Sequence, residues 1–187
     1  MRSLFNIHAG EYLVGSKLET HQRKPNVWIP SKDVGIDLLV SCKNTKNLTS
    51  IQVKFSKDYN FCKFPRRSQD DGSEDGFLAG GWWQFKSDKI VKSTADYWVL
   101  VLYSANKNIG THFIVLKPAV LLSRLQSLRG HDKKTLNTYL EIHEKNKCFE
   151  TRQLKKAGRQ RLDQIDIKRD FTEFLDKDLN TIFEDWD

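Results

Sequence analysis

The sequence predicts a mixed α/β domain, and three observations lead to that prediction. Short runs rich in Val, Ile and Leu are bounded by turn residues and alternate with stretches whose apolar residues recur at helical spacing. The run at 96–103 is almost continuously apolar, which is typical of a strand covered on both faces of a sheet. The 187 residues, 39% of them hydrophobic, suffice for one domain with its own core.

The first half of the chain predicts a helix followed by three strands. The helix covers residues 3–20, with Ser3 as the candidate N-cap. The predicted strands are 26–30, 35–41 and 49–55. The segment between the last two is polar, so these strands are expected to form a hairpin. A long loop is predicted at 57–80, where glycines, charged residues and aromatic residues are mixed.

The second half predicts two more strands and several helices. Residues 82–93 are predicted to be helical, with both Trp82 and Trp83 in the core rather than on a stacking surface. The predicted strands are 96–103, 111–116 and, more briefly, 148–151; the predicted helices are 118–129, 132–145 and 171–186. We therefore expect a core at 1–116 and a helical extension at 117–187 packed on it, in one compact domain.

The net charge of +7 is unevenly distributed. Residues 166–187 contain three basic and eight acidic residues, whereas residues 1–165 contain 28 basic and 16 acidic ones. A body this basic favours a polyanionic partner, either nucleic acid or an anionic membrane surface. No apolar run approaches the length of a bilayer span, and the acidic last segment is expected to pack against the basic body or a second subunit.

The three cysteines, Cys42, Cys62 and Cys148, are odd in number and share no C-x-x-C spacing. This pattern argues against a disulfide framework or a structural zinc site. It is typical of a reducing compartment, so we expect a cytoplasmic protein.

Four polar residues predict a site with chemistry. Asp37 lies inside an apolar strand, where a charge is costly unless it is paired or bound to a metal. In the next strand, Gln52 and Lys54 alternate with apolar residues and share one face. A hairpin would bring these three side chains together, and a helix packed on the sheet would present Glu11 to the same point. Oxygen ligands of this kind favour Mg²⁺ or Mn²⁺, and a nearby lysine can stabilise the charge on a phosphate.

These residues resemble a known family. The segments Gly10–Val14 (GEYLV), Gly35–Leu39 (GIDLL) and Ile51–Lys54 (IQVK), in the order helix, three strands, helix and strand, resemble the PD-(D/E)XK, or restriction-endonuclease-like, nucleases. The resemblance covers residues 3–103 and implies a core in which the three strands form a meander within a mixed central sheet. It implies that the metal ligands are Asp37, Glu11, Gln52 and the main-chain carbonyl of Val53, and that the catalytic residues are Glu11, Asp37, Gln52 and Lys54.

The sequence departs from the family pattern at two positions. Ile36 stands where the family has its proline, and Gln52 stands where the second acid would be, which removes one negative charge. An inactive or weak nuclease-fold protein that binds DNA or RNA is therefore an alternative. A protein-interaction module with fortuitous charges is another, and in the simplest alternative Gln52 and Lys54 belong to the solvated face of a hairpin.

The resemblance implies a Mg²⁺-dependent DNA endonuclease, with Mn²⁺ as a substitute metal, acting in restriction or defence, with repair or junction resolution as the alternative role. The expected partner is double-stranded DNA, a homodimer would explain cleavage of both strands, and no membrane is involved. The candidate DNA-contacting residues are Lys57, Lys63, Arg66, Arg67, Lys86, Lys89, Arg152, Lys155, Lys156 and Arg159. A solvated loop and a solvated helix face are the alternatives for these basic residues.

Overall fold

Five strands form the central sheet of a computed structural model that describes residues 8–32, 34–42, 47–58, 76–105, 110–154 and 164–186. The strands are β1 (Asn26–Trp28), β2 (Leu38–Ser41), β3 (Leu48–Lys57), β5 (Tyr97–Tyr103) and β6 (Thr111–Leu116). Their order is β1-β2-β3-β5-β6, and among these described strands only β3 and β5 pair in parallel. The predicted meander and mixed central sheet are confirmed.

A second, antiparallel sheet covers one face of the first. It consists of β4 (Phe77–Lys86), β7 (Thr135–His143) and β8 (Lys147–Glu150), in the order β4-β7-β8. The helices are α1 (Ala9–Glu19), α2 (Ser87–Val91) and α3 (Pro118–Arg129). Strand β4 and helix α2 lie between β3 and β5 in the chain, and they supply the long connection that a parallel pair needs.

Each face of the central sheet has its own hydrophobic cluster. On one face, the α1 residues Val14 and Leu18 pack with Ile51 and Val53 of β3. On the other face, β5 residues such as Trp98 pack against the second sheet and α3. The two clusters explain why β5, buried on both faces, reads as a continuous apolar run.

Gly10 sets the distance between α1 and the sheet. A Cβ atom at this position would lie 2.9 Å from Phe55 Cβ and 3.1 Å from Val53 Cγ1. Only glycine therefore allows the first turn of α1 to approach β3 this closely, and that turn contains Glu11.

The helix predicted at 82–93 is wrong, because β4 extends to Lys86 and only Ser87–Val91 is helical. The helix predicted at 132–145 is also wrong, because β7 occupies Thr135–His143. In 82–86 and in 135–140 the buried side chains alternate with more exposed ones, which is the period of a strand. Apolar residues three or four apart gave the misleading helical pattern.

The C-terminal helix predicted at 171–186 is wrong as well. This part contains short 3-10 segments, Thr172–Phe174 and Asn180–Trp186. The Asp176 side chain accepts hydrogen bonds from the backbone N–H groups of Asp178 and Thr181, at 3.2 and 2.7 Å. Such local side-chain bonds compete with an α-helix, although Phe171, Leu179, Ile182 and Phe183 are still buried.

Residues 117–187 are therefore not a helical extension. After α3 they contribute β7 and β8, which pair with β4 from the first part of the chain. The predicted helix at 118–129 is confirmed, and so are the strands at 111–116 and 148–151, with small differences in their ends. The predicted N-cap Ser3 and most of the predicted loop at 57–80 lie outside the described residues.

The acidic last segment packs against the basic body of the same chain. Lys17 Nζ lies 2.8 Å from Asp178, and Lys117 Nζ lies 3.4 Å from Asp185. The Trp186 indole N–H donates to Thr49 Oγ1 at 2.7 Å, which fixes the segment on the central sheet. In the part of the chain that the structure describes, we find no helix with the length and apolar character needed to span a bilayer.

Candidate active site

Strand β3 presents its candidate residues in strict alternation. Ile51 and Val53 are buried on the side of α1, whereas Gln52 and Lys54 are half-buried and belong to the opposite face. The sequence pattern predicted this alternation, because successive side chains of a strand point to opposite faces.

Asp37 lies where β2 and β3 begin to pair. Its N–H donates to the Ile51 carbonyl at 2.8 Å, and Leu38 is the first β2 residue in register with β3. Asp37 Oδ2 accepts a 2.6 Å hydrogen bond from the Val53 N–H. A carboxylate thus replaces the missing strand partner of Val53, and no described residue donates to Asp37 Oδ1.

Gln52 lies beside the turn that leads into Asp37. Its Nε2 atom is 3.9 Å from the point where a Gly35 Cβ would be. Gly35 has a φ of +84°, a left-handed conformation that favours glycine, and this turn directs the chain into β2. The amide is therefore close to the start of β2, next to Asp37 in the register.

Glu11 approaches from the first turn of α1. Its Oε2 atom accepts a 3.1 Å hydrogen bond from the His8 N–H, so it also caps the helix. Burial raises the pKa of Glu11; the His8 hydrogen bond opposes this, the negative charge of Asp37 raises the pKa further, and the positive charge of Lys54 lowers it. Glu11 therefore lies within electrostatic range of both Asp37 and Lys54.

Lys54 extends over an aromatic ring. Its Nζ atom lies 5.5 Å from the centroid of the Trp98 ring, and its carbonyl accepts a 3.1 Å hydrogen bond from the Trp83 indole N–H. Within the described ranges, Lys54 forms no ion pair. The ammonium group is held by a ring and not by a carboxylate, so it can interact with an incoming anion.

Asp37, Gln52 and Lys54 thus lie where the β2–β3 pairing begins, and Glu11 lies within electrostatic range of Asp37 and Lys54. The cluster holds two carboxylates, and the described part of the chain contains no group of three or more His, Cys, Asp or Glu side chains arranged to hold a metal ion. Two carboxylates and neutral oxygens are a donor set that Mg²⁺ accepts, because this ion keeps several of its waters. The Val53 N–H contacts Asp37, and the role of its carbonyl stays a prediction.

The basic residues predicted to contact DNA are scattered. Lys57 ends β3, Lys86 ends β4 and Lys89 lies in α2, and all three are exposed. The Arg152 guanidinium lies 5.8 Å from the centroid of the Tyr139 ring. The remaining candidates lie outside the described residues: Lys63, Arg66, Arg67, Lys155, Lys156 and Arg159.

Sequence reasoning missed the aromatic residues around Lys54. Trp98 pairs with Gln52 in the parallel register, which places its ring beneath the lysine two residues later. Trp83 was expected in the core, and it is buried there, but its indole N–H also fixes the Lys54 backbone. Trp82, also expected in the core, is 49% exposed, whereas Trp83 is 4% exposed. The strand period of 82–86 is the signal that separates the two tryptophans.

Comparisons of the chain with protein-family models, with curated proteins and with solved structures found no match.

Proposed function

We propose that this protein is a Mg²⁺-dependent DNA endonuclease with a restriction-endonuclease-like core. The arrangement of Asp37 carries the proposal: a carboxylate at the start of β2, hydrogen-bonded to the Val53 N–H between Gln52 and Lys54. Helix α1, the three-stranded meander and the parallel β3–β5 pair support it, because they give the helix, three strands and later parallel strand of that family.

In this proposal Glu11, Asp37, Gln52 and the Val53 carbonyl hold the metal ion, Mg²⁺ or its substitute Mn²⁺. The ion, when bound, polarises a phosphate oxygen and makes a bound water acidic. Lys54 is held over Trp98, where its positive charge can stabilise the charge that develops on the phosphate. One such site cuts one strand, so cleavage of duplex DNA requires a homodimer or two binding events. Restriction or defence is the role we propose.

The test is incubation of supercoiled plasmid with the protein and Mg²⁺ or Mn²⁺. We expect nicked and linear products, and no cleavage in excess EDTA. Asp37→Asn keeps an oxygen for the Val53 N–H but removes the charge, and we expect cleavage to fall at least about 100-fold. Asp132→Asn is the matched control, because Asp132 is an exposed aspartate in the turn after α3. Equal cleavage by Asp37→Asn and the wild type would contradict the proposed site.

One observation favours a second candidate, a nuclease-fold protein that binds DNA or RNA without cutting it. The site has glutamine at position 52, so the described cluster contains only two acids. This candidate predicts salt-dependent binding of nucleic acid that is the same in EDTA, Mg²⁺ and Mn²⁺, with intact plasmid in each. Cleavage by the wild type but not by Asp37→Asn would exclude it.

A further inference from the structure

The outer face of the second sheet points away from the central sheet and carries an unusual set of side chains. By the outer face we mean Trp82, Gln84 and Lys86 of β4 together with Thr135, Asn137 and Tyr139 of β7. We propose that this outer face binds single-stranded nucleic acid by stacking bases on Trp82 and Tyr139. It is a second binding surface, separate from the cluster around Asp37.

Two aromatic residues occupy directly opposite positions on the outer face. Trp82 and Tyr139 are direct partners in the β4–β7 register, so their side chains leave the sheet on the same face and about 5 Å apart at Cβ. Trp82 is half-exposed, although its neighbour Trp83 shows that this strand can bury an indole completely. Exposed aromatic rings on a sheet surface are the stacking platforms that single-stranded nucleic acids use.

Polar and basic groups surround the two rings. The Arg152 guanidinium lies 5.8 Å from the Tyr139 centroid, where it can contact a phosphate or stack on a base. Lys86 is exposed at the end of the same strand as Trp82. Gln84 lies between Trp82 and Lys86 on β4, and its Nε2 atom donates to Asn137 Oδ1 at 2.9 Å. An amide pair therefore lies next to the two aromatic residues. These groups match the phosphates and base edges of a nucleic-acid strand.

The acid on this side of the sheet is withdrawn from solvent. Glu141 follows Tyr139 at the next outward position of β7, but it is buried and lies 3.7 Å from His143. Among the described strand residues of this side, the exposed charges are those of the lysines Lys86 and Lys147. The surface therefore complements a polyanion in charge as well as in chemistry.

The outer face is joined to the strand that contains Lys54. The Trp82 N–H donates to Ser56 Oγ at 2.9 Å, and the Gly80 N–H donates to Asp58 Oδ1 at 3.2 Å. These two contacts show that β4 runs antiparallel beside β3, so its Lys86 end continues toward the Gln52 end of β3. A nucleic-acid strand bound on the outer face could thus extend to the candidate active site. This extension rests on the proposed function, whereas binding to the outer face does not.

The experiment measures the affinity of fluorescein-labelled oligonucleotides by fluorescence anisotropy. All proteins carry Asp37→Asn, so that cleavage does not disturb the measurement, and the probes are single-stranded DNA, single-stranded RNA and duplex DNA of one sequence. We expect tighter binding of a single strand than of the duplex. Trp82→Ala should weaken single-strand binding about tenfold, whereas Trp82→Phe should keep most of it, because phenylalanine still stacks.

Trp28→Ala is the matched control, because Trp28 is 58% exposed but lies on β1, in the other sheet. It should leave the affinity unchanged, and Lys86→Ala should lower the salt dependence by about one phosphate contact. Equal affinities for Trp82→Ala and Trp28→Ala, or preference for the duplex, would overturn the proposal. The nuclease proposal is tested separately: if the protein with Asp37 leaves plasmid intact, that proposal fails, whatever the anisotropy experiment shows.

Discussion

Two clusters of charged side chains lie within this fold, and they differ in how fully their carboxylates are paired and hydrogen-bonded. Glu150 is fully buried at the end of β8 and faces two arginines. Arg129 and the N–H groups of Tyr139 and Arg152 donate to its Oε1, and Arg169 donates to its Oε2 at 2.7 Å. Burial raises the pKa of Glu150, and the two arginines oppose that rise.

The cluster around Asp37 is different. Asp37 accepts one hydrogen bond, from the Val53 N–H, and the nearby Glu11 accepts one from the His8 N–H. Lys54 is near enough to act on Glu11 but lies over Trp98 without a carboxylate partner among the described residues. Both acids are thus held by single backbone bonds, and negative charge is left over for a cation.

The Glu150 cluster therefore has the features of a structural ion cluster, and the cluster around Asp37 has those of a candidate catalytic one. Buried charges are tolerated when they are paired and hydrogen-bonded, and both carboxylate oxygens of Glu150 accept a hydrogen bond from an arginine. Two acids that lack a direct ion pair are costly for the folded chain and are a feature of functional sites. The two clusters should therefore respond in opposite ways to mutation.

Glu150→Ala should have the largest effect on stability. It leaves Arg129 and Arg169 without their carboxylate in a buried place, and we expect the free energy of unfolding to fall by about 3–5 kcal/mol. Urea denaturation measures this loss. Cleavage per folded molecule should be unchanged, and a protein that stays equally stable would show that this cluster is not structural.

Lys54→Met should reduce cleavage and leave stability almost unchanged, the opposite of Glu150→Ala. The methionine keeps the apolar contact with Trp98 and removes the charge, so stability should change little while cleavage falls about 100-fold. Lys133→Met, at an exposed lysine in the turn before β7, is the control. Plasmid cleavage and thermal unfolding of both variants check the prediction. If Lys54→Met lost stability but not cleavage, Lys54 would be structural and not catalytic.

Two glycines of α1 provide a smaller test. A Cβ at Gly10 would lie 2.9 Å from Phe55 Cβ, so Gly10→Ala should push the first turn from β3 and cost about 1–3 kcal/mol of stability. At Gly15 nothing lies within 4 Å of such a Cβ, so Gly15→Ala should stabilise the helix by about 0.5–1 kcal/mol. Only Gly10→Ala should also reduce cleavage, because it moves Glu11. Equal effects at both positions would show that the close approach is unimportant.

The smallest expected effect is the pH dependence of Glu11→Gln. Because burial raises the pKa of Glu11 above its ordinary value of 4.5, the folded chain holds this proton more tightly than the unfolded chain. In metal-free wild type, the tighter binding of this proton stabilises the folded state below pH 4.5. That stabilisation is lost as the pH rises through the raised pKa of Glu11. Glutamine keeps the helix cap without this loss.

Glu11→Gln should therefore gain stability relative to the wild type as the pH rises in EDTA. Mn²⁺ should stabilise only the wild type, so that in Mn²⁺ the wild type becomes more stable than Glu11→Gln. Unfolding curves at several pH values measure both effects, with Glu19→Gln, an exposed acid of the same helix, as the control. If the difference in stability between Glu11→Gln and the wild type did not change with pH, burial would not raise the pKa of Glu11.

The sequence predicted the strands of the central sheet, and the alternation that puts Gln52 and Lys54 on one face, because these patterns are local. Strands β3 and β5 are read directly from alternation and from a continuous apolar run. The position of Asp37 beside Gln52 follows from the β2–β3 register, in which Leu38 pairs with Ile51.

The second sheet could not be predicted in the same way. Strand β4 pairs with β7, which is about fifty residues later in the chain, and no local signal specifies that partner. Leu136 and Leu140 are spaced as on a helix, and only the burial of Thr138 between them reveals a strand. The tryptophan pair gave a similar ambiguity, because a helix would place Trp82 and Trp83 partly on the same side, whereas the strand separates them.

Binding of Mn²⁺ tests the central claim most directly, because it requires no knowledge of the nucleic-acid target. Isothermal titration of the wild type, Asp37→Asn and Asp132→Asn with Mn²⁺ compares the proposed ligand with an exposed acid. We predict that the wild type and Asp132→Asn bind Mn²⁺ equally well, and that Asp37→Asn binds it more than about tenfold more weakly. Equal binding by all three proteins, or no binding by the wild type, would contradict a metal site at Glu11 and Asp37.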